Sequence, residues 1–176
     1  MNNINQIQII DNFLDEEYFF AIKSFITSQH FPWFYMNFLT FDEESEYSDP
    51  EAYLFYHKFC DAQYSVQSEH FHLLDPIFIK LNAKKIIRVK CNLTPKKEII
   101  LQNRFHTDFS RGAYPGAKTA VYYINTNNGY TLFRDGTKVE SVENRMVIFD
   151  QQMAHTGTSC TDKSNRIVLN INYFDE

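Results

Sequence analysis

The chain has 176 residues, 44% of them apolar and 16% aromatic, enough to bury one sizeable core but too few for two ordinary domains, so a single domain over 1–176 is expected. A formal charge of −5 gives no basic footprint for a phosphate backbone and argues against a nucleic-acid partner. Cys60, Cys91 and Cys160 are odd in number and scattered, which argues against a disulfide framework; MNNINQIQII lacks the basic and apolar regions expected of a secretory leader, and no apolar run approaches ~20 residues. A soluble cytoplasmic protein with no membrane association is expected.

In chain order, Asp15 stands where an N-cap belongs, ahead of Glu16 and Glu17, and Phe19, Ile22 and Ile26 fall on one helical face. The acidic stretch 42–51 reads as a surface loop, with a lid as the more specific alternative. Asp49-Pro50-Glu51 repeats the helix-start signal, so a second helix is expected over Leu54, His57, Cys60 and Asp61. A third covers Phe71 to Leu81, kinked or restarted at Asp75-Pro76. Residues 1–84 thus read as mostly helical support.

From Lys85 the pattern turns to period two, in IIRVKC, IILQNRFHTDF, TAVYYIN, YTLF, TKVES, RMVIFD and RIVLNINYF. Asn127-Asn128-Gly129 and Asp135-Gly136 read as hairpin turns. Seven or eight short antiparallel strands over 85–176 point to a sandwich or jelly roll with the helices packed on one sheet.

Strand alternation puts Arg166, Asn170 and Asn172 on one side of the last strand, opposite Ile167, Leu169, Ile171 and Tyr173. It separates Arg88, Lys90 and Asn92 from Ile87, Val89 and Cys91, and gives Arg104, His106 and Asp108 a common face. Such a polar side either faces water or lines a cleft within the rolled sheet. The metal-type ligands it carries favour the cleft. His106 and Asp108 can chelate one ion, His155 can supply a third ligand, and two His with one carboxylate leave open positions suited to Fe(II). Arg166, eleven residues after His155, presents a planar fork for a carboxylate.

Taken together, these residues resemble the iron(II)/2-oxoglutarate-dependent oxygenase superfamily, in particular its prolyl-hydroxylase-like branch. The resemblance runs from about Ile86 to Phe174: His106-Thr107-Asp108 as H-x-D, TAVYYIN as the next strand, Gly129-Tyr130-Thr131-Leu132-Phe133 as G-x-T-x-F, then NRMVIF, His155 and Arg166. It implies a double-stranded β-helix fold, metal ligation by His106, Asp108 and His155, and Fe(II), 2-oxoglutarate and O2 as cofactor and co-substrates. It also implies a co-substrate pocket of Arg166 and Tyr123, to which Asn92 and Thr131 are weaker candidate additions. Asn172 occupies the position at which the nucleic-acid dealkylase branch carries a second arginine, which lowers a base-repair reading. The implied reaction hydroxylates a protein side chain or a small polar metabolite while 2-oxoglutarate becomes succinate and CO2. Arg88, Lys90 and Arg104 suggest a polar or anionic primary substrate. The rival readings are a metal-binding jelly roll that uses Fe or Zn without 2-oxoglutarate and a noncatalytic binding module.

Overall fold

Strands make up most of the regular secondary structure among the described residues, and the long period-two segments pair on both edges. The computed structural model describes residues 7–37, 53–62 and 65–176. Its elements in order are β1 (Gln8–Ile10), α1 (Glu16–Ile26), β2 (Phe34–Met36), β3 (Leu54–Cys60), a 3-10 turn (Phe71–Leu74), α2 (Asp75–Lys80), β4 (Lys85–Pro95), β5 (Lys118–Tyr123), β6 (Tyr130–Phe133), β7 (Lys138–Glu140), β8 (Met146–Asp150), β9 (His155–Gly157) and β10 (Asn165–Phe174). A large antiparallel sheet in the order β1-β8-β5-β10-β4-β3-β2 faces a small one in the order β7-β6-β9. This is a double-stranded β-helix, mainly β, with helices on one face of the large sheet.

Alternation decides which core each side chain joins. Val89, Cys91, Ala120, Tyr122, Met146, Ile167, Leu169, Ile171 and Tyr173 pack with Phe19, Ile22 and Ile26 of α1 and Ile77 and Phe78 of α2. Val121, Tyr123, Val147, Phe149 and Val168 point the other way and meet Phe133 and Val139 of the small sheet. The polar residues of β4 and β10 share this inner face, so the polar side of the strands lines the space inside the roll.

The helical stripe of α1 forms as expected, but the side chain of Asp15 makes no cap hydrogen bond. Thr27 closes the helix by donating its hydroxyl to the carbonyl of Lys23 at 2.7 Å. Asn144 ties the N-terminal segment to the sheet. It accepts from the Leu14 N–H at 2.9 Å and the Tyr122 hydroxyl at 2.6 Å, and donates to the Leu14 carbonyl at 2.8 Å.

Three expectations need correction. The helix expected over Leu54, His57 and Cys60 is strand β3: LFYHKFC is rich in aromatics, fits a pleated surface, and pairs with β2 and β4 on its two edges. The i, i+3 spacing there is a coincidence of composition, and the described residues before 85 contribute three strands beside two short helices. The segment 99–109 is irregular apart from isolated bridges at Gln102–Thr158 and His106–His155. Asn127-Asn128-Gly129 does not close a hairpin, because β5 and β6 lie in different sheets. Asp135-Gly136 does turn β6 into β7, with Gly136 at φ 92° and the Thr137 N–H donating to the Asp135 carboxylate at 2.9 Å. The acidic stretch 42–51 lies outside the described residues.

Among the described residues no helix is long and apolar enough to cross a membrane. His57 is a satisfied core histidine, its Nδ1 2.9 Å from the Pro32 carbonyl and its Nε2 2.8 Å from the Ser68 hydroxyl.

Candidate active site

A backbone bridge, rather than a strand, brings the two histidines together. His106 and His155 exchange both main-chain hydrogen bonds, at 2.9 and 3.0 Å, which places their side chains on one face with ring centroids 4.8 Å apart. Each Nδ1 lies against a carbonyl, that of Arg104 at 3.1 Å for His106 and that of Met153 at 3.0 Å for His155. A carbonyl can only accept, so both Nδ1 atoms carry hydrogen and both Nε2 atoms present a lone pair. This is the outer-shell arrangement that fixes a histidine as a metal ligand. Burial pushes the pKa of His155 down, partly opposed by the nearby Asp108 carboxylate, which keeps the ring neutral and ligand-competent.

Asp108 completes the group: ligand atoms of His106, Asp108 and His155 all lie within 4.8 Å of one another. Three ligands on one face of an octahedral ion at about 2.1 Å lie about 3 Å apart, so each side chain moves inward by about 1 Å to close the triad. The donor set of two imidazoles and one carboxylate fits iron(II). The carboxylate is densely held. Its Oδ1 accepts from Arg88 at 2.7 Å and Asn170 at 3.2 Å, and its Oδ2 from Thr119 and Asn172, each at 2.8 Å. Four donors fill the lone-pair capacity of a carboxylate, so a bound metal would take the place of one of them, and the long Asn170 contact is the weakest. Burial alone would raise the Asp108 pKa, but Arg88, His155 and the Asn172 and Thr119 hydrogen bonds overcome it and hold the group at about 2.

Further along the inner face, Arg166 of β10 is buried with no carboxylate partner among the described residues. Its Nε donates to the Ser141 hydroxyl at 2.7 Å and a terminal nitrogen to the Thr131 hydroxyl at 3.1 Å. Tyr123 also donates to Thr131, at 2.8 Å, and its ring lies 5.6 Å from the guanidinium carbon. Two glycines make the room: a Cβ on Gly129 would stand 2.7 Å from Arg166 Cδ, and one on Gly157 would stand 3.3 Å from its Nη1. Burial lowers the pKa of Arg166, opposed by Tyr123 and Cys160, so this is a cation held in a neutral cradle.

Asn92 sits on β4 opposite Val168, whose other neighbour is Tyr123, and its Oδ1 is buried without a hydrogen-bond partner. Arg104 does not join the inner face. Its segment is irregular, its side chain is exposed, and its described role is the carbonyl that orients His106.

Sequence reasoning missed Ser141, Thr119 and the donor roles of Asn170 and Asn172. Thr119 shares parity with Val121 and Tyr123 and was open to discovery by the same count. Ser141 follows β7 in a short turn and carries no periodic signal.

No family model matches the sequence, and no curated protein matches it. Solved structures do. The α-ketoglutarate-dependent epimerase SnoN of nogalamycin biosynthesis superposes with a TM-score of 0.68 at 14% identity, over 98% of this chain and 78% of that one. A prolyl hydroxylase from Trichoplax adhaerens, in complex with a hypoxia-inducible-factor peptide fragment, gives 0.66 at 12% identity, over 98% and 85%. The viral collagen prolyl hydroxylase of Paramecium bursaria Chlorella virus-1, solved with 2-oxoglutarate, gives 0.58 at 14% identity, over 97% and 96%. At such identities the likeness establishes the fold, which is that of the iron(II)/2-oxoglutarate oxygenases, prolyl hydroxylases among them.

Proposed function

We propose that this chain is an iron(II)- and 2-oxoglutarate-dependent dioxygenase that hydroxylates a primary substrate, with His106, Asp108 and His155 as metal ligands and Arg166 as the co-substrate anchor. The observation that carries the reading is the buried Arg166 guanidinium with no carboxylate in reach among the described residues, on the same inner face as a His/Asp/His group whose imidazole lone pairs are free. A buried cation costs several kcal/mol unless an anion answers it, and a dicarboxylate that also reaches the metal would do so.

Iron(II), when bound, supplies the activation of O2 that is coupled to decarboxylation of 2-oxoglutarate to succinate and CO2. The chain's own residues select and orient. Arg166 takes the distal carboxylate, with Thr131 and Ser141 holding the guanidinium in place and the Tyr123 hydroxyl beside it. His106 and His155 present Nε2 because the Arg104 and Met153 carbonyls fix their tautomers. Asp108 stays ionised and so offsets part of the metal charge. Val121, Val168, Phe133 and Phe149 supply apolar walls that keep water from the reacting centre. The orphaned Asn92 Oδ1 would take a donor from a bound molecule.

Aerobic incubation with iron(II) and 2-oxoglutarate tests the reading through succinate formation. The protein should release succinate slowly without primary substrate, and His106→Ala should abolish that release. Succinate at the level of free iron, with 2-oxoglutarate unbound, would favour a metal-binding jelly roll that does not use this co-substrate.

A further inference from the structure

Beside the metal group, the inner face carries more positive charge than the carboxylates of the described residues answer. Lys58 of β3 pairs directly with Lys90 of β4, which pairs in turn with Asn170 of β10. Directly opposed residues share a face, so these three form one row across the sheet, strands about 4.8 Å apart. The row ends at the metal group, because Asn170 donates to Asp108. Arg88, two residues before Lys90 on the same face, is committed to Asp108 at 2.7 Å. Among the described residues neither Lys58 nor Lys90 has a carboxylate partner, and the ammonium of Lys90 instead stands 4.9 Å from the centre of the Tyr56 ring.

We infer that Lys58 and Lys90 form the binding site for an anionic group, a carboxylate or a phosphate, on the primary substrate. Like charges directly opposed across a strand pair are destabilising, and a divalent metal at the end of the row would sharpen the imbalance. Burial, Arg88 and Lys58 together bring the pKa of Lys90 down to about 8, with Asp108 the one group acting the other way. An anion between the two ammonium groups removes that repulsion. The Tyr56 ring gives the same ligand an apolar surface next to its charged group. The placement is separate from the co-substrate anchor, since Arg166 lies opposite Thr94, four residues along β4 from Lys90.

The assignment rests on the oxygenase reading for its place beside the reacting centre, but its test needs neither iron nor 2-oxoglutarate. Inorganic phosphate and acetate are titrated separately into the purified protein, followed by thermal midpoint and by calorimetry. Wild type should bind one of the two, which identifies the group. The Lys58→Met/Lys90→Met double variant should bind it at least about tenfold more weakly, yet melt higher than wild type in anion-free buffer because the repulsion is gone. Lys58→Arg/Lys90→Arg should retain binding. Equal anion affinity in wild type and the Met variant would overturn the assignment. So would failure of wild type to bind either anion. Neither result bears on whether the protein turns over 2-oxoglutarate.

Discussion

The guanidinium of Arg88 stands 2.7 Å from the carboxylate of Asp108, inside a cage in which Thr119, Asn170 and Asn172 also donate to the same two oxygens. Asp108 is nearly inaccessible to water, with 3% of its side chain exposed against 24% for Arg88. Removing one partner of such a pair strands the other. Arg88→Met should therefore lower the stability of metal-free protein by about 2–3 kcal/mol. A divalent ion answers the same carboxylate, so saturating Mn(II) should reduce the gap between variant and wild type by about half. Chemical denaturation with and without Mn(II) measures both. A gap unchanged by metal would mean that Asp108 does not reach the ion.

The pH dependence of the metal-free protein should show the same groups. His155 and His57 have pKa values lowered by burial, so the folded state resists their protonation. Their contribution is complete above the unfolded value of about 6.5 and declines as pH falls below it. Asp108, held at about 2, contributes above about pH 4 and loses that contribution between about 4 and 2. Thermal midpoints in chelator should thus fall in two stages. His155→Gln should flatten the first stage, and a curve for this variant parallel to wild type below pH 6.5 would refute its neutral burial.

How much of this was legible beforehand varies by element. Strands β4, β5, β8 and β10 were readable because each alternates between two different surroundings, helices on one side and the site on the other. That alternation also placed Arg88 and Asn172 on the polar side of their strands. Strand β3 was not readable: its buried residues, including Leu54, His57, Phe59 and Cys60, mix helical and strand spacing, and only its pairing partners decide. The His-x-Asp segment was expected to work through strand parity, but a two-bond bridge to β9 aligns the histidines. Asn172 was read for the arginine it replaces, and its donation to Asp108 depends on tertiary approach that spacing does not encode.

The Arg166 cradle predicts two separable effects. Gly129→Ala would set a Cβ 2.7 Å from both Arg166 Cδ and the Ser159 carbonyl, so backbone must move, at a cost of about 1–3 kcal/mol. Thr131→Val keeps the volume but removes the hydroxyl shared by Tyr123 and Arg166. It should cost about 1–3 kcal/mol in stability and weaken 2-oxoglutarate about tenfold. Calorimetric titration of the metal-loaded protein reads the affinity. Full affinity in Thr131→Val would remove this pocket from the account.

Asn144 offers a test of the fold away from the site. It adopts φ 58° and satisfies three buried polar groups of Leu14 and Tyr122. Asn144→Ala should cost about 3 kcal/mol, and Asn144→Gly should be milder by about 1 kcal/mol because glycine accepts that backbone conformation freely. Urea unfolding of the two variants distinguishes the lost bonds from the backbone strain.

The central claim is that His106, Asp108, His155 and Arg166 act together on one metal and one dicarboxylate. Anaerobic addition of iron(II) and 2-oxoglutarate tests it most directly, through the visible metal-to-ligand charge-transfer band of the chelate. Wild type should develop the band, His106→Ala should show none, and Arg166→Ala should need at least about tenfold more 2-oxoglutarate to reach it. Wild-type protein that binds iron but gives no band at saturating 2-oxoglutarate would contradict the account.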